Sequence, residues 1–323
     1  MRMPKVAVTD YSFPSLDIET GILQPLGVEL LAWKEKRPAS ELPALVADAD
    51  YIITQFATLS AEVIASMTRA RVIVRYGIGV DNVDLDAARA RGIPVCNVPD
   101  YCIDEVSDQT LAFILAATRG VIENSAAVQA GAWGLAVPLE RMRTLRDLKV
   151  GVVGFGRIGR EVARRLLAFK CQVQVHDPVV AAAEIERAGC VPRPWDALLA
   201  DADVVTLHCP STAATRGLIN RDSLARMKPG VILVNVARGD LVDSAALVEA
   251  LRERRVAVAA LDVFTPEPIP ADHPVLRLDN AILSAHIASA SVRAVRTLRE
   301  TAAGIVARAI RGEPLPNIVN GVN

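Results

Sequence analysis

The chain carries almost no net charge: 36 Lys and Arg stand against 37 Asp and Glu in 323 residues, a formal charge of -1. No bulk field therefore draws it to nucleic acid or to an anionic membrane surface, and the expected ligand is small. Long apolar runs are missing too. The stretch Leu111 to Ala117 stops at Thr118 and Arg119, well short of the ~20 residues that a bilayer crossing takes. The opening MRMPKVAVTD enters a strand-like segment with no signal-peptide apolar region. Cysteine is sparse and unpatterned: Cys96, Cys102, Cys171, Cys190 and Cys209 form no CxxC and no Cys/His metal spacing. No metal is expected, and a reducing, cytoplasmic setting fits. No solenoid period, low-complexity tract or charge run interrupts the pattern.

What is present is alternation. Short β-branched runs alternate with longer helical patterns rich in Ala, Leu and Arg, the mark of parallel sheets covered by helices. A first set reads KVAVTD, VELLAW, ADYIITQ, RVIVRYG and IPVCNVP. A second reads KVGVVGFG, CQVQVHD, ADVVTLHCP, VILVNVARG, VAVAALDVF and AILSAH. With 51% hydrophobic residues the length suits two domains. The expected fold is α/β, with two Rossmann-like or flavodoxin-like domains. The helical stretch Ser107 to Arg119 connects or braces them, and a loop with Gly131 and Gly134 follows. A last helix over Ser289 to Arg311, closed by Gly312, Pro314 and Pro316, is expected to pack on the first set.

The segment KVGVVGFGRIGREVARRLL is a strand, then Gly154, Gly156 and Gly159, then a helix with Ile158, Val162 and Leu166 on its apolar face. A lone GxGxxG is weak, but the next strand delivers Asp177 where a ribose-binding carboxylate belongs. Gly154 allows the tight turn, Gly156 lets backbone approach a pyrophosphate, and Gly159 lets helix and strand pack. No Arg lies between Pro178 and Glu186, so NAD is favoured over NADP. Residues 101–287 are accordingly expected to be an NAD-binding domain inserted into a substrate domain made of residues 1–100 and 288–323.

Three further segments put polar residues at strand ends, where open parallel sheets carry ligands. Arg238 follows VILVNVA, Asp262 and Glu267 follow VAVAAL, and His286 closes AILSAH. Each alone is more often structural or solvated; together on one sheet edge beside a dinucleotide loop they form a site. Reduction of a ketone needs a proton donor near neutrality, which suits His286. Glu267 against its other nitrogen would fix the tautomer. Arg238 offers a fork for a carboxylate, and Asp262 is left for the nicotinamide side.

Taken together, GFGRIG, LHCPST, NVARG, LDVFTPEP and HIA resemble the D-isomer-specific 2-hydroxyacid dehydrogenase family over nearly the whole chain. The segments TQF, RYGIGVDNVD and NVPDYCIDEVSD look most like the branch of the C-terminal-binding proteins. The resemblance implies catalytic Arg238, Glu267 and His286. It implies NADH held by Gly154, Gly156, Arg157, Ile158, Gly159, Asp177, His208, Cys209, Pro210, Thr215, Val236, Ala237 and Asp262. A small 2-oxo or D-2-hydroxy acid would meet Tyr76, Ile78, Gly79 and Arg238, with Phe56, Tyr101 and Trp133 as further pocket candidates. It also implies a homodimer, with Ser107 to Arg119 as the candidate contact. Departures exist: Ala285 stands where Pro often precedes the histidine, and Lys170 occupies a helix end where Gly is common. Gln55 and Phe56 replace the Arg-Ser pair of phosphoglycerate dehydrogenases, no regulatory domain is expected after Asn323, and both expectations argue against that substrate; Glu267 argues against formate. The rival expectation is an NAD(H)-responsive scaffold that binds partner peptides.

Overall fold

A computed structural model describes residues 2–322, which divide into two units. The first comprises residues 2–101 and 291–322, the second Cys102–Ala290.

In the first unit the elements before the break are β1 (Lys5–Val8), α1 (Asp17–Leu23), β2 (Glu29–Ala32), α2 (Pro43–Val46), β3 (Tyr51–Thr54), α3 (Ala61–Ser66), β4 (Ile73–Arg75), α4 (Leu85–Ala90) and β5 (Val95–Cys96). The strands are parallel in the order β2-β1-β3-β4-β5, the flavodoxin-like arrangement. Every residue of β3 is buried, because helices cover both faces of a parallel sheet and leave no polar side. On one face Val63, Ile64, Met67 and Ala88 pack over Ile52 and Ile73.

The second unit contains α5 (Ile103–Arg119), α6 (Val121–Gln129), β6 (Lys149–Val153), α7 (Arg157–Ala168), β7 (Gln172–His176), α8 (Ala182–Arg187), β8 (Val191–Pro192), α9 (Trp195–Asp201), β9 (Val204–Leu207), α10 (Arg221–Arg226), β10 (Val231–Asn235), α11 (Ser244–Arg252), β11 (Val256–Leu261) and β12 (Ala281–Leu283). Its seven parallel strands run β12-β11-β10-β9-β6-β7-β8. This is the dinucleotide-fold order extended by one strand, and β6 and β9 flank the switch point where ligands bind.

The chain then returns to the first unit as α12 (Val292–Arg311). Ser291 caps it by accepting from the Ala294 N–H, and Gly312 ends it at φ 69, the left-handed position that favours glycine. Beyond it Asn320 bonds Val95 N and Ile93 O, laying the last residues along β5.

Three local expectations change. The loop expected after Arg119 begins as α6, and the two-residue β8 adds a strand to the expected set. α5, expected as a dimer contact, buries Leu111, Phe113, Ile114 and Ala117, whereas Val121, Ile122 and Val128 on α6 are exposed. Lys170 does adopt the left-handed conformation, at φ 67. No single helix among the described residues is long and apolar enough to cross a membrane; α5 and α6 pass that test only as a pair bent by 63°.

Candidate active site

The glycine loop is a product of close approach. Gly154 has φ +94, and a Cβ there would meet the backbone of Cys209 and His208 at 2.6 and 2.7 Å. A Cβ on Gly159 would stand 2.1 Å from the Gly154 oxygen. The protein itself demands those two glycines. Gly156 is different: nothing lies within 4 Å of a Cβ built on it, and no side chain caps the first N–H groups of α7. Uncapped amides beside open backbone suit an anion, so the loop fits the pyrophosphate of a dinucleotide.

Asp177 follows β7 and is locked by backbone. Its Oδ2 accepts from Phe155 N at 2.7 Å, and its Oδ1 from Val179 and Val180 N at 2.8 and 3.0 Å. Burial acts to raise its pKa, but these bonds outweigh it and hold the carboxyl below the usual range. A fixed anion thus stands at the strand end. Across the switch point burial pushes the His208 imidazole down to about 3, leaving a neutral ring whose Nε2 lies 2.9 Å from Thr206 Oγ1. Burial likewise raises the Cys209 thiol to about 11, so it stays protonated. Thr215 Oγ1 donates to the Pro210 carbonyl at 2.6 Å and shapes the loop between them. Val236 is buried and Ala237 half-buried beyond β10.

At the same edge of this sheet Arg238, Glu267 and His286 come together. Glu267 Oε2 lies 2.7 Å from His286 Nδ1, while Oε1 accepts from Phe264 N at 2.9 Å. Burial would raise the Glu267 pKa. The bond to His286, that ring's charge, the Phe264 N–H and the Arg238 charge outweigh it, and the carboxyl titrates below its ordinary range. Arg238 Nη1 donates to the Ala237 carbonyl at 2.7 Å, and Asn235 Nδ2 donates to the Arg238 carbonyl at 2.8 Å, fixing the turn that presents the guanidinium.

Asp262 has a task the sequence did not reveal. Expected on the nicotinamide side, it is fully buried and wrapped by the chain that carries the histidine. Ser284 Oγ and Ile287 N donate to its Oδ1, Ala288 N to its Oδ2, and His286 N to its carbonyl. His286 needs this support, because its φ of 54 lies in a region that costs a non-glycine residue about 1 kcal/mol. Phe264 and Gly239 were also missed, since their contributions are made by backbone.

In the first unit, the loop after β4 is pinned by Asn97 Nδ2 donating to the Ile78 carbonyl at 2.6 Å and by Val98 N donating to Gly77 O at 3.0 Å. Gly77 has φ +146, and a Cβ on it would collide with the Arg75 guanidinium at 1.3 Å. Ile78 and Gly79 are half-exposed. Tyr76, expected to touch substrate, is a correction. It is 1% exposed, its hydroxyl donates to Glu19 Oε1 at 2.8 Å, and its ring meets Phe13 edge-on. The buried pair of Glu19 with Arg299, 2.6 Å apart, draws the tyrosine inward, since a buried ion pair needs further polar partners. Asp10 staples the neighbouring Gln55, Phe56 and Ala57 by accepting all three N–H groups. Gln55 spends its own amide on Ser12. Tyr101 is buried, and Trp133 is 96% exposed.

A seven-stranded dinucleotide fold with a histidine–carboxylate pair and an arginine at its ligand edge is the framework of a nicotinamide-dependent oxidoreductase. The model of the D-isomer specific 2-hydroxyacid dehydrogenase NAD-binding domain matches residues 111–288. A D-3-phosphoglycerate dehydrogenase of Mycobacterium leprae is 39% identical over 99% of this chain and 59% of its own length. A glyoxylate reductase of Korarchaeum cryptofilum is 37% identical over 90% of each chain. The crystal structure of the TT0316 protein from Thermus thermophilus superposes with TM-score 0.87 at 38% identity, covering 98% of this chain and 99% of that one. The chain belongs to the D-isomer specific 2-hydroxyacid dehydrogenase family. It spans about three-fifths (59%) of the phosphoglycerate dehydrogenase it matches.

Proposed function

We propose that the protein is an NAD-dependent dehydrogenase that interconverts a small, unphosphorylated 2-oxo acid and its D-2-hydroxy acid. The contact between Glu267 and His286 carries this reading. With Nδ1 committed to an ionised carboxylate, Nε2 is the nitrogen that delivers a proton to the nascent hydroxyl. The nicotinamide, when bound, supplies or accepts the hydride. Arg238 holds the substrate carboxylate and polarises the carbonyl beside it.

Gly154, Gly156, Arg157, Ile158 and Gly159 would hold the pyrophosphate, and Asp177 the adenosine ribose, repelling a 2'-phosphate. His208, Cys209, Pro210 and Thr215 would line the adenosine side, with Val236, Ala237 and Asp262 toward the nicotinamide. In the first unit, the Thr54–Ala57 loop carries no charged residue and its Gln55 amide is spent on Ser12. That favours glyoxylate, hydroxypyruvate or pyruvate over the phosphorylated acid that some relatives' names imply.

Homodimerisation through the second unit belongs to the same proposal, with the exposed apolar side chains of α6 and the segment after it replacing α5 as the contact. A cytoplasmic setting accords with five unbridged cysteines. The test is NADH oxidation with glyoxylate, hydroxypyruvate, pyruvate and 3-phosphohydroxypyruvate. Turnover in the range of ~1 to 10³ s⁻¹ on an unphosphorylated acid is expected. Preference for the phosphorylated acid overturns the substrate class, and negligible turnover throughout favours the peptide-binding scaffold of the C-terminal-binding protein branch.

A further inference from the structure

Asp240 lies in the short 3-10 turn Gly239–Leu241, directly after Arg238. Its Oδ2 accepts from Ser211 Oγ at 2.6 Å and from Arg216 Nε at 3.2 Å, and its backbone carbonyl accepts from Gly217 N at 2.8 Å. Ile219 continues the pairing: its N–H donates to Leu241 O at 2.9 Å, and Asp243 N donates to Ile219 O at 2.7 Å. The segment from Cys209 to Ile219 is thereby zipped along the turn that presents Arg238. The Ser211–Asp240 bond fastens the half of that segment nearest the dinucleotide loop, and the backbone pairing begins at Gly217.

Asp240 Oδ1 is buried without a hydrogen-bond partner. The donors that reach this carboxylate all meet one oxygen, Oδ2. The Arg216 pair contributes little, since that side chain is 61% exposed and screened by water. The Ser211 bond is therefore the working contact.

We propose that Asp240 is a positioning residue whose bond to Ser211 couples the Cys209–Gly217 loop to the Arg238 guanidinium. Dinucleotide seated on that loop then sets Arg238 for the incoming acid. This rests on the dehydrogenase reading for its consequence, but the clasp can be tested without it.

Hydrogen exchange followed by mass spectrometry on the full chain, without cofactor, compares wild type with Ser211→Ala, Asp240→Ala and Asp240→Asn. Faster exchange over Val236 to Val242 is expected for Ser211→Ala and Asp240→Ala. Asp240→Asn, which keeps an acceptor for Ser211, should match wild type. Unchanged exchange in Ser211→Ala, or an Asn variant as loose as the Ala one, overturns the clasp. In steady state, Asp240→Ala should raise KM for the 2-oxo acid about 5- to 10-fold with kcat within about 3-fold, as loss of one charge-assisted bond implies, and Asp240→Asn should restore it. A fall in kcat with KM unchanged would overturn the coupling. A wild type that turns over no acid defeats the dehydrogenase reading instead, and the exchange result still decides the clasp.

Discussion

Gly239 lies against the backbone of Phe264 so closely that a Cβ on it would stand 2.1 Å from the Phe264 carbonyl carbon and oxygen. The turn that presents Arg238 therefore rests on the residue whose N–H holds Glu267. Gly239→Ala must move one of the two. The expected result is a fall in kcat of about 10- to 100-fold, as small misplacements of catalytic groups produce, with the NADH dissociation constant within about 3-fold by fluorescence titration. Unchanged turnover would show that the Phe264 backbone yields without disturbing Glu267.

His286→Asn removes the proposed proton donor and leaves its surroundings. Turnover should drop by about 10²- to 10⁴-fold, the usual worth of a positioned general acid, with NADH binding retained. Near-normal turnover would take His286 out of the mechanism.

Asp262→Asn tests the support beneath that histidine. The amide nitrogen replacing Oδ2 would face the Ala288 N–H, which now donates to Oδ2 at 2.9 Å. Two buried donors opposed cost about 1 to 3 kcal/mol. A lowered Tm is expected in calorimetry together with a lowered kcat, whereas His286→Asn should leave Tm nearly unaltered. An Asp262→Asn protein as stable and active as wild type would show that the turn holds itself.

His208 sets a pH dependence of stability. Its folded pKa, about 3, lies below the ordinary 6.5, so between those values the unfolded chain binds the extra proton. The contribution is present above the ordinary value and is lost as pH falls toward the folded one, with a slope of up to about 1.4 kcal/mol per pH unit. In urea denaturation between pH 7 and pH 5, wild type should lose more stability than His208→Asn. Parallel losses would mean that the imidazole takes up its proton without unfolding.

Much of this candidate site is legible in the sequence because it is local. The glycine loop, Asp177 and the strand ends at Arg238 and His286 are each written in a few consecutive residues whose spacing follows from strand and turn geometry. Segments with weaker periodicity are not: α6 has no buried face to give a helical stripe, and β8 has only two residues, too few to show alternation.

Residue order is enough to reveal the two sets of strands, the glycine spacing of the loop after β6, and Arg238, Glu267 and His286 as candidates at strand ends. Tertiary structure alone decided that Tyr76 turns inward to Glu19, that Asp262 braces the left-handed turn at His286, and that Gly239 bears on Phe264. Those are contacts between residues distant in the chain or made by backbone atoms, and residue type does not encode them. They exist only once the sheet has brought its strand ends side by side.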